Sequence, residues 1–323
     1  MKNAAITVVI LGLLALSIGV DARVDERGSF DARLKNWHSG NLVHTTFFNY
    51  GMIGREIPAV QGEVGGEWPI NSGHWYVGDV SVLVGAEIVD VNGDTAFSVE
   101  VSDGPRGNNE YSPDQSTFWG WEPIPGYASR VEDQDNCCVA MSHQPESWPD
   151  YWPDKLDDEV DPGWIGQWNG YFGKDVKNAD QESYWVMDDA SDEEFLFYPD
   201  ATDSTRRGLG LRVSVRGMQW SHVLAEDCIF WVYDVTNIGT TDYDKVVFGM
   251  IVGGMVGGGG DAGDDWADFL KEDNITYCWD NDNIGEGGFS PVGYVGYAFL
   301  ESPGNPFDGI DTVSYTHLTL PTN

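Results

Sequence analysis

The chain has 323 residues, with 53 acidic and 17 basic side chains and a formal net charge of −36. A surface of this sign repels nucleic-acid phosphates and anionic lipid headgroups, which excludes both as partners. Aromatic residues make up 13% of the chain, and this supply of apolar area excludes a disordered polymer. The acidity indicates either solubility alone or a role in binding cations.

The N-terminal segment has the pattern of a secretory signal peptide. A short basic start, Met1-Lys2-Asn3, precedes the apolar run AITVVILGLLALSIGV, and Val20 and Ala22 are small residues at suitable cleavage positions. Because the run is close to the length of a membrane span, an uncleaved anchor is the alternative. We predict a signal peptide over residues 1–22 and a secreted, extracellular or cell-surface protein with no membrane span after cleavage.

Short runs of β-branched and aromatic residues follow, separated by Gly, Asn, Asp and Pro. The segments NLVHTTFFNYG, WYVGDVSVLVGAEIVDV and LGLRVSVRGMQW are typical of strands, and Asn92-Gly93 predicts a hairpin turn. No helical periodicity persists for three turns. We therefore predict an all-β fold, an antiparallel β-sandwich with long aromatic-rich loops, built as one sandwich or as two packed β units.

The sequence divides into six segments of different composition. Loops as long as the central segment are commonly functional or packed on themselves. One or two short strands are expected within that segment, near Tyr184–Asp189. The six are the signal peptide (1–22), a loose charged arm (23–36), a first β unit (37–107), a Trp/Pro-rich loop region (108–199), a second β unit (200–304) and a truncated end (305–323).

The tryptophans of the central region allow two interpretations. Trp148, Trp152, Trp164 and Trp168 lie among Pro, Asp and Gly in the string PESWPDYWPDKLDDEVDPGW and just after it. Exposed rings of this kind would stack on sugars at a carbohydrate-binding surface. Buried rings would instead pin the long loops to the sheet through their large apolar area.

The stretch FGMIVGGMVGGGGDAGDDWADF, residues 248–269, runs from a strand-like segment through glycines into aspartates. Calcium takes about six to eight oxygen ligands, typically carboxylates and carbonyls of a flexible acidic loop. A second acidic string, WDNDN, can join if the next strand returns alongside. We predict a calcium site whose candidate ligands are Asp261, Asp264, Asp265, Asp268, Asp280 and Asp282.

The calcium prediction has a simple alternative. No EF-hand loop is present, because from Asp280 onward Ile284 and Pro291 stand where that loop requires ligands. The other interpretation of the stretch is a solvated acidic hairpin turn. Two further acidic turns, at residues 157–161 and 188–192, are weaker candidates for metal binding.

The four cysteines are compatible with disulfides after export. Cys137 and Cys138 are adjacent, and because joining neighbours strains the ring, we expect them to pair elsewhere or to stay free. Cys228 and Cys278 each lie in a strand-like run. A bridge between them across neighbouring strands is one expectation, and two buried free thiols are the other.

No motif of a catalytic site occurs in the sequence. The HExxH, GxSxG and P-loop patterns are absent, and no Cys/His set has zinc spacing. Asp and Glu are so abundant that a glycosidase pair cannot be picked out, since that pair is defined by separation in space. We therefore predict that the protein is not an enzyme.

Several strand motifs carry a resemblance to a group of bacterial proteins. The segments TTFFNYGMIGR, GEWPINSGHWYVGDVSVLVGAEI and RGLGLRVSV resemble the N-terminal regions of large secreted or surface β-proteins of Bacteroidetes-like marine bacteria. The resemblance implies a surface protein that continues into further domains. This chain departs from the pattern at Gly253-Gly254-Met255, where those proteins tend to carry Asp-x-Asp, and the difference removes two possible metal ligands. The end, VSYTHLTLPTN, resembles a translated sequencing adapter, with a polar strand as the alternative.

Together these observations predict a secreted or cell-surface structural or adhesive β-protein, the N-terminal fragment of a longer chain, with calcium stabilising its acidic turns. The alternative is a carbohydrate-binding module or an ancillary part of a polysaccharide-degrading enzyme. The expected partners are polysaccharide or cell-surface components.

Overall fold

The computed structural model describes residues 27–56, 60–103, 110–129 and 137–300. The predicted signal peptide and the predicted adapter-like tail lie outside these residues. In the described part there is no α-helix, and short single-turn 3₁₀ helices are the helical elements. No described helix has the length and apolar character that crossing a bilayer requires. The all-β prediction is therefore confirmed.

Sixteen strands are found in the described residues. In chain order they are β1 (Lys35–His38), β2 (Thr45–Phe48), β3 (Met52–Gly54), β4 (Val77–Val89), β5 (Thr95–Glu100), β6 (Glu122–Pro123), β7 (Ala140–Met141), β8 (Asn169–Gly170), β9 (Gly173–Lys174), β10 (Gln181–Asp188), β11 (Leu211–Gln219), β12 (Phe230–Asn237), β13 (Val246–Gly254), β14 (Asp265–Leu270), β15 (Ile275–Asp280) and β16 (Tyr294–Ala298). The 3₁₀ helices span Phe30–Ala32, Pro145–Ser147, Pro153–Lys155, Pro162–Trp164 and Glu286–Gly288.

The strands form three main sheets, all with antiparallel pairing. Sheet 1 has the order β1-β2-β3-β4-β13, with β5 also paired to β4, and sheet 2 has the order β12-β11-β10-β6, with β7 also paired to β10. Sheet 3 is the meander β14-β15-β16, and β8 pairs with β9. Because β13 pairs with β4, the first and second β units of the sequence share one sheet.

The main core lies between sheets 1 and 2. In β11, Leu211, Val213 and Val215 are buried and alternate with partly exposed residues, as the two-residue period of a strand requires. They pack in one cluster with alternate residues of β4, among them Val82 and Val84. The packing of two inner faces on each other is the sandwich arrangement that the alternation predicts.

Strand β10 is buried on both faces, which explains the tryptophan-rich central region. Trp185 and Met187 face the main core, whereas the alternate residues Tyr184 and Val186 contact a second, aromatic cluster. The central segment supplies that cluster, so it covers the outer face of sheet 2. The strand expected near Tyr184–Asp189 is thus an eight-residue central strand rather than a short loop-associated one.

The charged arm predicted over residues 23–36 is not loose from Arg27 onward, where the described residues begin. Leu34 is buried in the main core. Arg33 forms ion pairs with Asp103 and Glu122, each at 2.6 Å. Two carboxylate partners offset the cost of burying its guanidinium, which is why a charged segment can pack here.

The cysteine expectations need correction. Cys137 and Cys138 are disulfide-bonded to each other and both are buried; the peptide bond between them is cis. Cys228 and Cys278 are free, the first exposed and the second buried. They are not bridged, because Cys228 precedes β12 of sheet 2 while Cys278 belongs to β15 of sheet 3, so the two are not on neighbouring strands.

Candidate metal centre

The loop between β13 and β14 begins with glycines that have left-handed backbone conformations. Gly257 has φ of 92° and Gly258 has φ of 114°. A Cβ atom on Gly257 would lie 3.0 Å from Oδ2 of Asp261 and 3.1 Å from Oδ2 of Asp280. Glycine at this position therefore lets the backbone lie directly against two carboxylates, in a conformation that other residues rarely adopt.

The hairpin of β14 and β15 brings the two acidic strings together. Asp265 at the start of β14 is paired directly with Asp280 at the end of β15. Carboxylate oxygens of Asp261, Asp264 and Asp280 all lie within 4.8 Å of one another. This group is here called the acidic triad. Asp280 can join it because β15 returns alongside the loop, which is the condition under which the second acidic string is predicted to contribute.

The triad and the neighbouring Asp265 contain buried oxygens that have no hydrogen-bond partner among the described residues. Asp280 is only 6% exposed; its Oδ1 accepts a hydrogen bond from the backbone N–H of Asn283 at 2.6 Å. Its Oδ2, Oδ2 of Asp261 and Oδ1 of Asp265 are buried and have no partner among the described residues. Burying an unpaired carboxylate oxygen is costly, so a proton or a cation among these oxygens would stabilise the site.

Loss of water and the crowding of carboxylates raise the pKa of a triad residue, Asp261. Loss of water around the carboxyl group, followed by its contact with Asp280, raises the pKa of Asp261 to about 6. The charges of Asp264 and Asp282 act in the same direction. Carboxylates that crowd in this way cannot all ionise without a compensating positive charge.

Three further predicted ligands, Asp265, Asp282 and Asp268, lie outside the triad, and the first two accept hydrogen bonds from backbone N–H groups of the surrounding loops. Asp265 accepts a hydrogen bond from the backbone N–H of Val256 through Oδ2 at 2.9 Å. Asp282 accepts one from Ile284 at 2.9 Å and lies exposed at the rim. Asp268 is exposed on the outward face of β14, paired with Tyr277, and is therefore outside the cluster.

Glu286 holds the glycine loop in place, a role that the sequence did not indicate. Its carboxylate accepts a hydrogen bond from the backbone N–H of Gly260 at 2.9 Å, and its own N–H donates to the carbonyl of Gly257 at 2.8 Å. These contacts close the glycine loop over the segment after β15. This role depends on contact between the glycine loop and the segment after β15, and no local sequence pattern predicts that contact.

The donor set fits a hard cation. All the converging atoms are carboxylate oxygens. Calcium accepts irregular sets of oxygen ligands from flexible loops, whereas zinc and copper favour nitrogen and sulfur. The residues present would thus supply at least part of a calcium coordination sphere.

The four central tryptophans predicted to stack on sugars are packed into the second core. Trp152 and Trp168 are fully buried, and Trp148 and Trp164 are half-buried against them. A lysine lies over each half-buried ring, Lys177 over Trp148 at 5.3 Å and Lys155 over Trp164 at 5.2 Å. These rings therefore pin the loops to sheet 2 and offer no open platform.

The acidic turn at residues 188–192 lies inside the protein rather than in water. Asp189 is fully buried and accepts hydrogen bonds from the backbone N–H groups of Leu209 and Leu211 at 2.8 and 3.0 Å. Burial raises the pKa of Asp192 and of the neighbouring Glu100, and the charges of Asp192 and Asp189 raise that of Glu100 further. Backbone donors compensate the burial of Asp189, and the raised pKa of Glu100 and Asp192 favours their neutral forms, so the turn has a structural role.

Comparisons with protein-family models, curated proteins and solved structures find no match to this chain. The functional argument therefore rests on the geometry of the site.

Proposed function

We propose that the protein is an exported structural or adhesive β-sandwich in which calcium joins the glycine loop after β13 to the β14–β15 hairpin. The observation that carries the proposal is the acidic triad, Asp261, Asp264 and Asp280, with its buried and unpartnered oxygens. Calcium would neutralise carboxylates that otherwise repel one another across the hairpin.

Two features of the sequence support an extracellular setting. The first residues have the pattern of a signal peptide, and the acid-rich composition suits a salty medium in which charge repulsion is screened. Calcium sites of extracellular modules are commonly weak, with Kd of about 10⁻⁴ to 10⁻³ M, and a site with few protein ligands belongs in this range.

The bound ion would act as a cross-link between two parts of the fold. Asp261 and Asp264 belong to the loop that follows β13 of sheet 1, and Asp280 ends β15 of sheet 3. An ion that holds these carboxylates together would restrain the position of sheet 3 relative to the end of β13 in sheet 1. Such a module resists unfolding when calcium is present, which is the property that a structural or adhesive protein needs.

Thermal unfolding with and without calcium tests the proposal. At calcium about 10- to 100-fold above Kd, we expect stabilisation by about 1–3 kcal/mol, seen as a rise of several degrees in Tm. Asp280→Asn should abolish this rise. The same variant should not lower the Tm measured in EDTA, because it removes one of two facing carboxylates and keeps the acceptor for Asn283.

Asp268→Asn is the matched control, since it removes the same charge from the same hairpin on its exposed outward face. We expect its calcium response to equal that of the unaltered protein. Absence of any shift in Tm at millimolar calcium would contradict the proposal. Equal loss of the response in both variants would show that general charge, and not the triad, attracts the ion.

A further inference from the structure

Sheet 3 presents two faces of different character. Residues of its inner face, including Cys278 and Val295, pack in a small core, and Tyr297 contacts the main core. The alternate residues of the same strands point outward. This outward surface, here called the aromatic face, consists chiefly of Trp266, Tyr277, Trp279 and Tyr294.

The rings of the aromatic face form a continuous strip across the three strands. Trp279 of β15 is paired with Trp266 of β14 on one side and with Tyr294 of β16 on the other. The Trp266 and Trp279 rings lie 6.3 Å apart at 28°, and the Tyr277 and Trp279 rings lie 5.3 Å apart at 26°. The Trp266, Trp279 and Tyr277 rings are therefore close to parallel, and the Tyr294 ring lies 6.4 Å from that of Tyr277 with a tilt of 47°.

Much of this aromatic area faces solvent. Trp266 is 57% exposed and Tyr294 is 70% exposed, while Trp279 and Tyr277 are half-buried between them. A contiguous apolar patch is costly to leave in water, and on a folded domain such a patch commonly marks a binding surface. The four central tryptophans pack in the second core, whereas Trp266 of sheet 3 leaves more than half of its side chain in solvent.

We infer that the aromatic face binds a neutral polysaccharide. The C–H bonds of a sugar ring carry slight positive charge and lie favourably against the negative face of an aromatic ring. Asp268 stands on the same face, paired with Tyr277, where its carboxylate can accept hydrogen bonds from sugar hydroxyl groups. A row of three near-parallel rings on adjacent strands, with the tilted Tyr294 ring beside them, matches an extended chain of sugars better than a single small molecule.

Charge selects this occupant over others that could cover an apolar surface. With Asp268 on the face and a net charge of −36 on the chain, anionic polysaccharides, nucleic acids and acidic lipids are repelled. A second copy of the same chain carries the same charge and is repelled as well. A neutral sugar polymer meets no such penalty.

The aromatic face is separate from the proposed cation site. Asp265 and Asp280 are neighbours in sequence of Trp266 and Trp279, but strand alternation places them on opposite faces of sheet 3. The inference therefore does not depend on calcium binding. Failure of one proposal leaves the other standing.

Affinity electrophoresis in native gels tests the inference. The gels contain hydroxyethylcellulose, xyloglucan, galactomannan or soluble β-1,3-glucan as neutral probes, with alginate and chitosan as charged comparisons and calcium present throughout. We expect at least one neutral polymer to retard the protein. Trp266→Ala and Tyr294→Ala should each weaken that retardation about two- to tenfold, corresponding to the loss of one stacked ring.

Phe97→Ala is the matched control, because Phe97 is an exposed aromatic residue of β5 in sheet 1 and is 71% exposed. Its variant should bind as the unaltered protein does. Both aromatic-face residues are exposed, so their variants should keep the original Tm, which shows that folding is intact.

Three results would overturn the inference. The first is that none of the neutral polymers retards the protein, or that only alginate or chitosan does. The second is retardation that Trp266→Ala and Tyr294→Ala leave unchanged. The third is a dimer in size-exclusion chromatography that Trp266→Ala converts to a monomer, since the face would then be covered by a second copy.

Discussion

Replacing Trp168 with alanine is expected to lower the free energy of unfolding by about 3–5 kcal/mol. The side chain is fully buried, with its ring 5.7 Å from that of Trp148 and 5.5 Å from that of Trp152. Its indole N–H donates to the buried carboxylate of Glu182 at 3.1 Å. The substitution would open a cavity in the second core and remove a donor from a buried charge.

Equilibrium unfolding in urea measures this effect, with Phe172→Ala as the matched control. Phe172 belongs to the same segment but is 62% exposed, so its removal should cost less than about 1 kcal/mol. Similar small losses for both variants would contradict the packing of the central region. A large loss confined to Trp168→Ala would support its assignment to the core.

Replacing Glu100 with glutamine is expected to stabilise the protein at alkaline pH and to reduce the dependence of its stability on pH. Glu100 is fully buried at the end of β5, and burial together with the charges of Asp192 and Asp189 raises its pKa well above the ordinary value of 4.5. The native state therefore holds a proton that the unfolded chain has released.

The sign of the pH effect follows from this difference. Where the native state binds more protons than the unfolded state, stability falls as pH rises, by at most about 1.4 kcal/mol per pH unit for one proton. The fall begins above the unfolded pKa and continues to the raised pKa of the folded state. A glutamine amide at this position would carry no titrating proton and could donate a hydrogen bond to the neighbouring Asp192.

Urea unfolding at a series of values between about pH 5 and pH 8 tests this expectation. The unaltered protein should lose stability across the series, and Glu100→Gln should lose less and be the more stable of the two at the upper end. Glu87→Gln, on the exposed side of β4, should follow the unaltered protein. Parallel curves for all three proteins would contradict a raised pKa of Glu100 in the folded protein.

The architecture was predictable where strands are half-buried. The alternation over Leu211 to Val215 predicts a strand that is found as β11. The turn at Asn92-Gly93 predicts a hairpin that is found between β4 and β5. The role of the central region was not predictable in the same way. Strand β10 is buried on both faces, so it lacks alternation, and its cover comes from residues that the sequence places in loops.

The acidic residues show the same limit. Asp261, Asp264 and Asp280 meet because β15 pairs back on β14, an event that the hairpin pattern indicates. Asp268 falls on the opposite face for the same reason, since it lies an odd number of residues after Asp265. The burial of Asp189 depends on backbone donors at Leu209 and Leu211, which no local pattern connects to it.

The aromatic residues divide by environment rather than by type. Trp168 and Trp266 both occur in acidic, turn-rich sequence, yet the first is buried and the second is 57% exposed. Which ring is available to a ligand depends on whether another layer covers its sheet. Sheet 2 is covered by the central segment, and the outward face of sheet 3 is not covered by any described residue.

Calorimetric titration with calcium tests the central claim most directly. We predict saturable binding of one ion per chain to the unaltered protein, unchanged in Asp268→Asn and abolished in Asp280→Asn, because Asp280 contributes a buried oxygen to the triad. Absence of saturable heat at millimolar calcium, or binding that survives Asp280→Asn, would contradict it.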